Sequence, residues 1–196
     1  SKIQKGCYNI NNGIHIYYLK DYNNKPITII DCLGYGDTRG IKYDEEIDEA
    51  FKYVFSNIIN HINTICFISK SSNNRLDRLT RYIFSCIISL LSKEINENLI
   101  FLSTFAYKEI IRNGPNFIDD IIKDSDFSKI IKRIGGKWWF AFDSKSILEN
   151  DIDKVTKYSF SQLNEFYEEK VKKLCPKSTK KCVEILEARN QLTIQV

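Results

Sequence analysis

An acidic residue followed three positions later by a glycine is the feature of this sequence best suited to chemistry. Asp31 ends the short apolar run 27–31 (ITIID), and Gly34 follows it. An acid at the end of a strand can hold Mg²⁺ through water, and a glycine amide can approach a phosphate because no side chain intervenes. The same residues also suit a strand that simply ends in a turn. The D-x-x-G spacing alone does not separate the two interpretations.

The elements that would position these residues follow from hydrophobic periodicity. The runs 14–19 and 27–31 flank a segment rich in turn formers, which predicts an antiparallel hairpin. Short apolar runs then alternate with amphipathic stretches, an order typical of a parallel sheet covered on both faces. We therefore predict a three-layer, mostly parallel α/β fold plus a C-terminal helix. The strands are expected at 65–68, 99–105 and 137–142, the helices at 45–62, 75–95, 117–134, 155–174 and after Ser178, and a mobile loop at 33–44.

Composition limits the function classes. A chain of 196 residues with 43% hydrophobic content can form one domain with a sizeable core. The net charge of +4 is spread along the chain, so we expect no nucleic-acid partner. No apolar run is long enough to span a membrane, and the first residues do not resemble a signal peptide. The six cysteines lack CxxC spacing, which favours reduced thiols and a cytoplasmic location, with Cys32, Cys66 and Cys86 buried.

Several stretches, in order along the chain, resemble blocks of the AIG1-type and septin-like G domains, which are P-loop GTPases of the TRAFAC class. The most specific are ITIIDCLGYGDTRG at 27–40 and ICFISKSSNNRL at 65–76. NLIFLSTFA at 98–106 and VEILEARNQL at 183–192 are also similar to blocks of that family. The resemblance implies an incomplete G domain over 1–174. It also implies a C-terminal helix over 175–196 that could begin a coiled coil.

Carried over by position, the resemblance implies a site for GTP or GDP with Mg²⁺. Asp31 would hold the Mg²⁺ through water, and Gly34 would sense the γ-phosphate. The segment from Gly36 to Gly40 would form the second switch loop, in which Thr38 and Arg39 could contact the phosphates or a dimer partner. For Arg39 an ordinary exposed loop position is an equal alternative. A homodimer through the nucleotide face or through the C-terminal helix is the implied assembly.

The base-recognition site implied by the resemblance is degraded. The tetrad that ends the strand at 99–105 would be Thr104, Phe105, Ala106 and Tyr107. Thr104 fits the family pattern, but a phenol at position 107 cannot replace the paired acceptors of an aspartate. Ser144 would lie near the last base-contacting loop.

The phosphate-binding element is the main departure from the family pattern. None of the eight glycines opens a G-x-x-x-x-G-K-[ST] motif. We expect the first strand, the P-loop and the first helix either to precede Ser1 or to be lost, which would leave the centre of the sheet incomplete. Two hypotheses follow: a GTP-binding protein whose G domain is inactive as given, or a pseudo-GTPase scaffold that binds a partner protein without nucleotide. An unrelated flavodoxin-like domain remains the third alternative, if the resemblance is accidental.

Overall fold

A three-stranded antiparallel sheet opens the chain. The computed structural model describes residues 6–10, 14–32, 34–35, 41–72, 76–107, 110–111, 114, 118–134, 136–143 and 154–194. Strands β1 (Gly6–Ile10), β2 (Ile14–Lys20) and β3 (Pro26–Cys32) pair in that order. Asp21 accepts hydrogen bonds from the amides of Asn23 and Lys25, both at 2.8 Å, and so closes the β2–β3 turn. The predicted hairpin is confirmed, and β1 adds a strand that the periodicity did not reveal.

Three of the predicted strands form a parallel sheet: β5 (Ile65–Lys70), β6 (Leu99–Thr104) and β7 (Trp139–Ala141), in that order. The prediction of a mostly parallel fold is met only in part, because β1, β2 and β3 pair antiparallel. Two further strands, β4 (His61–Ile62) and β8 (Lys177–Ser178), form a small antiparallel pair. The chain is therefore a mixed α/β fold in which, among the described residues, the antiparallel and parallel sheets are not hydrogen-bonded to each other.

The helices connect and cover these strands. Within the described ranges they are α1 (Ile41–Asn57), α2 (Arg78–Leu90), α3 (Lys93–Asn96), α4 (Ile118–Lys123), α5 (Ser125–Ile134), α6 (Lys154–Phe166) and α7 (Lys180–Ile194), and α6 runs on into a π-helical turn at Tyr167–Val171. The helical range predicted over 117–134 is confirmed, and it consists of the two short helices α4 and α5. No described helix is both long enough and apolar enough to cross a membrane.

Two predicted helices, those at 45–62 and 75–95, have different bounds in the structure. Helix α1 begins at Ile41, inside the predicted loop, and ends at Asn57, because Ile62 is needed in extended form to pair with Lys177. The single helix predicted over 75–95 is two helices. Asp77 caps the first through the amide of Thr80 at 2.7 Å, and Ser92 caps the second through the amide of Ile95 at 3.4 Å.

Two main apolar clusters hold the layers together. The first joins β2 to α1, α2 and α7, with Ile16, Val54 and Leu186 almost fully buried. The second joins the parallel sheet to α2, α4 and α5, where the ring of Phe84 lies 5.3 Å from that of Phe101. Helix α7 therefore packs against its own domain through Cys182 and Leu186.

Candidate functional site

The carboxyl ends of the three parallel strands are tied together by hydrogen bonds. The Ser71 amide donates to Thr104 O at 2.9 Å, and the Ser71 hydroxyl donates to Phe105 O at 2.6 Å. The Ala106 amide donates to Phe142 O at 3.3 Å. The segments that follow β5, β6 and β7 therefore form one continuous edge, where ligands of parallel α/β sheets usually bind.

A hydrogen bond links the two helices that follow β3 and β5. Helix α1 follows β3 and α2 follows β5 along the chain. The Tyr82 hydroxyl on α2 donates to Asp44 Oδ2 in the first turn of α1 at 2.7 Å. This bond fixes the start of α1 against α2.

Asp31 is an exposed acid near the end of β3. It stands next to the last residue of β3 and opposite His15 on β2. No described residue forms a hydrogen bond or an ion pair with its carboxylate. A solvated carboxylate at the end of a strand can bind a cation through water, as the sequence predicts.

The described part of the fold does not require a glycine at position 34. A Cβ built on it would meet no atom of the described residues within 4 Å, and its φ angle is not in the left-handed region. Glycines that a fold requires usually show a positive φ or a close neighbour. Within the described part of the chain, the space beside the Gly34 backbone is open to a ligand.

Tyr35 fixes the segment that carries Gly34. The side chain is 5% exposed, and its hydroxyl donates to Asp48 Oδ1 on α1 at 2.7 Å. Burial and the hydrogen bond to the Asp48 carboxylate raise the pKa of Tyr35 well above its usual range. Burial also raises the pKa of Asp48, whose Oδ2 lies 3.3 Å from Nη1 of Arg189 on α7. Tyr35 is thus an anchor that the sequence analysis did not single out.

The predicted base-recognition segment is described through Tyr107. The Thr104 hydroxyl donates weakly to Ser69 O at 3.5 Å, so it bridges β6 to β5. Phe105 adopts a φ of 54°, and both Phe105 and Tyr107 are 57% exposed. The edge therefore presents two aromatic side chains to solvent where the family resemblance implies an aspartate. Gly36, Thr38, Arg39 and Ser144 lie outside the described residues.

Strands β3 and β5 each have one strand edge that pairs with no other described strand, and each carries exposed apolar side chains. In the part of the chain that the structure describes, β3 pairs only with β2 and β5 only with β6. Ile29 on β3 is 46% exposed and Ile68 on β5 is 63% exposed. We call these two unpaired strand edges, with their side chains, the β3–β5 slot. Unpaired apolar strand edges are unusual because they expose backbone donors and acceptors that invite pairing.

The thiols of Cys32 and Cys66 belong to this slot, and here the prediction that both are buried is wrong. Both side chains reach solvent. Nevertheless burial, aided by the Asp31 charge, raises the pKa of Cys32 to about 11, and burial raises the pKa of Cys66 to about 12. Cys86 is half-buried, so the prediction of burial is only partly met there.

The face of the parallel sheet that Cys66 and Ile68 share is covered only in part. Cys66 and Ile68 pair with Ile100 and Leu102 and so point to the same side of the sheet. At the far end of that face, Phe166 of α6 covers Phe140 with ring centroids 5.5 Å apart. Over β5 the exposed Ile68 shows that no described element covers the sheet.

The described residues show no metal centre, and the comparisons with known protein families and curated sequences show no relative. The described residues contain no group of three or more His, Cys, Asp or Glu side chains able to hold a metal ion. Comparison of the sequence with models of known protein families, and with curated protein sequences, gives no match. The functional argument therefore depends on the geometry of the strand edge and the slot.

Proposed function

We propose that this chain is the larger part of a GTP-binding domain of the AIG1-type or septin-like group, and that it does not hold the nucleotide phosphates by itself. The β3–β5 slot is the observation that carries this proposal. Among the described residues β3 and β5 each pair with one strand only, and each carries apolar residues on both faces. Strands with apolar residues on both faces usually lie in the interior of a sheet.

One further strand, followed by a helix, would complete the sheet. The strand would pair with β3 and β5 and bury Ile29 and Ile68, and the helix would cover the open face over β5. Its connection to the strand would reach the carboxyl edge, beside Asp31 and Gly34. A phosphate-binding loop at that point would complete a site for GTP and Mg²⁺.

In the completed site the residues of this chain would have separate tasks. Asp31 would hold Mg²⁺ through water, and the open Gly34 amide would bond the γ-phosphate. The Tyr35–Asp48 hydrogen bond would hold the Gly34 segment in place. Gly36, Thr38 and Arg39 would complete the loop, while Thr104 and Ser144 would lie on the base side. Mg²⁺ would neutralise charge on the phosphates when bound.

The experiment is a titration of the protein extended by its upstream coding sequence, with fluorescent GTP and Mg²⁺. The extended protein should bind GTP saturably, and Asp31→Asn should weaken the binding in the presence of Mg²⁺. Glu187→Gln is the matched control, because Glu187 is an exposed acid on α7, away from the strand edge. Equal affinities for Asp31→Asn and Glu187→Gln would refute the assigned role of Asp31.

The pseudo-GTPase scaffold is a second candidate, and Tyr107 favours it. Its exposed phenol stands where guanine recognition needs a carboxylate. In that case the chain binds a partner protein through the carboxyl edge of the parallel strands and does not bind nucleotide. An upstream sequence without a G-x-x-x-x-G-K-[ST] motif, together with no GTP binding by the extended protein, would select this function.

A further inference from the structure

Three helices meet at one arginine near the end of the chain. Arg189 lies on α7, and its Nη1 is 3.3 Å from Asp48 Oδ2 on α1 and 3.3 Å from the hydroxyl oxygen of Ser89 on α2. A guanidinium can serve both partners because it presents five N–H donors in one plane. The Arg189 side chain therefore contacts each of the two helices against which α7 packs.

Asp48 extends this contact to the segment that carries Gly34. One of its carboxylate oxygens faces Arg189, and the other accepts the 2.7 Å hydrogen bond from the hydroxyl of the buried Tyr35. Tyr35 directly follows Gly34 in the chain. A continuous series of contacts thus runs from α7 through α1 to the residue beside Gly34.

The charged form of Asp48 depends on its partners. Its side chain is 17% exposed, and burial raises the pKa of this carboxyl. The Tyr35 hydrogen bond and the Arg189 guanidinium act in the opposite direction. Without the guanidinium, the carboxylate would turn toward water or take up a proton, and either change weakens the charge-assisted bond from the Tyr35 hydroxyl.

We propose that Arg189 is a positioning residue for the Gly34 segment, so that α7 is a functional part of the candidate site. The arginine orients the Asp48 carboxylate, the carboxylate holds the Tyr35 hydroxyl, and Tyr35 fixes the backbone beside Gly34. This positioning needs no bound nucleotide. Its consequence for GTP, which is tested separately below, rests on the proposed function.

Three cysteines of the chain serve as probes of this arrangement. Cys32 ends β3, three residues before Tyr35, and reports whether the segment loosens. Cys182 is fully buried on α7 and reports whether that helix leaves its place, while Cys66 on β5 is the reference. Their alkylation rates at pH 8, measured by peptide mass spectrometry, therefore separate a local change from a general one.

Arg189→Gln should speed alkylation of Cys32 about two- to fivefold, the effect of a partly exposed ion pair. The rates at Cys66 and Cys182 should not change. The matched control is Arg81→Gln, which removes an ion pair between α2 and α5 at nearly the same side-chain exposure and should alter none of the three rates. Arg189→Lys keeps the charge and should restore most of the wild-type rate. An unchanged Cys32 rate in Arg189→Gln would overturn the proposal.

A double-mutant cycle tests whether the effect passes through Asp48. In the Asp48→Asn background, Arg189→Gln should have no further effect on the rate at Cys32, because the charged partner is already absent. An equal increase in that background would overturn the proposal. A parallel increase at Cys182 would also overturn it, since Arg189 would then only hold α7 in place.

The consequence for GTP is measured on the protein extended by its upstream coding sequence. Arg189→Gln should weaken GTP about two- to fivefold more than GDP, because only GTP offers a γ-phosphate to the Gly34 amide. Equal weakening of both nucleotides would overturn this consequence. No GTP binding by the extended wild type would refute the proposed function, whereas the alkylation rates would still decide whether Arg189 positions the segment.

Discussion

Two glycines offer a sharp contrast between a residue that the fold requires and one that it leaves open. At Gly114 the φ angle is +91°, and a Cβ would lie 2.7 Å from Ile118 Cδ1 and 3.0 Å from Trp139 Cζ2. At Gly34 the φ angle is not in that range and a Cβ would meet no atom of the described residues within 4 Å. Alanine should therefore have opposite effects at the two positions.

The expected magnitudes follow from these geometries. For Gly114→Ala, a left-handed backbone costs about 1–2 kcal/mol and overpacking about 1–3 kcal/mol, so the loss should be about 2–5 kcal/mol. For Gly34→Ala, the less flexible unfolded chain should give no loss, or a gain of about 0.4–1 kcal/mol. With an m value of about 2 kcal/mol/M, the first variant should lower the urea midpoint by at least about 1 M.

Urea unfolding followed by tryptophan fluorescence measures both variants, since Trp138 and Trp139 lie in or beside β7. In the extended protein, Gly34→Ala should also weaken GTP more than GDP, because the added methyl group lies beside the amide assigned to the γ-phosphate. A destabilisation of more than about 1 kcal/mol by Gly34→Ala would refute the reasoning. The glycine would then be required by the fold, and no ligand would be needed to explain it.

Three smaller predictions test the surroundings of the site. Tyr35→Phe should lower the free energy of unfolding by about 1–3 kcal/mol, measured in urea, because it removes a hydrogen bond to the buried Asp48 carboxylate. Because the folded-state pKa of Asp48 is raised above 3.8, wild-type stability should fall, relative to Asp48→Asn, as pH rises upward from 3.8; a flat difference in stability between pH 4 and 7 would contradict this. Alkylation at pH 8, followed by peptide mass spectrometry, should be slower at Cys66 than at the exposed Cys175, since a pKa of about 12 leaves little Cys66 thiolate.

The sequence predicted β2, β3, β5, β6 and β7 because their signals are local, and it missed the short strands β1, β4 and β8. The hairpin depends on the turn formers at 21–26, and the strands β5 and β6 are nearly continuous apolar runs. Helix ends were less predictable because they depend on distant partners. Helix α1 ends where Ile62 must pair with Lys177, more than a hundred residues away. The break at Ser92 depends on a single side-chain cap that hydrophobic periodicity does not record.

Burial was the property most often mispredicted, and the errors share one cause. Cys32, Cys66 and Ile68 belong to runs whose composition indicates strands buried on both sides, yet each reaches solvent beside the slot. The composition of the slot residues is typical of strands that have a paired neighbour on each side. The described residues supply a neighbour on one side only.

The candidate site was predictable in part. Asp31 and Gly34 follow from the D-x-x-G spacing at the end of a strand, and the structure leaves both open to solvent. Tyr35, which anchors their segment, could not be found from sequence because its partner Asp48 lies on a separate element.

The measurement that tests the central claim most directly is a titration of the 196-residue chain itself with fluorescent GTP and Mg²⁺. Wild type and Asp31→Asn are titrated in parallel up to millimolar nucleotide. The account predicts no saturable binding by either chain, because the sequence contains no G-x-x-x-x-G-K-[ST] motif to hold the phosphates. Saturable binding that Asp31→Asn weakens would contradict it, since this chain would then hold the phosphates by an element other than the one proposed for the slot.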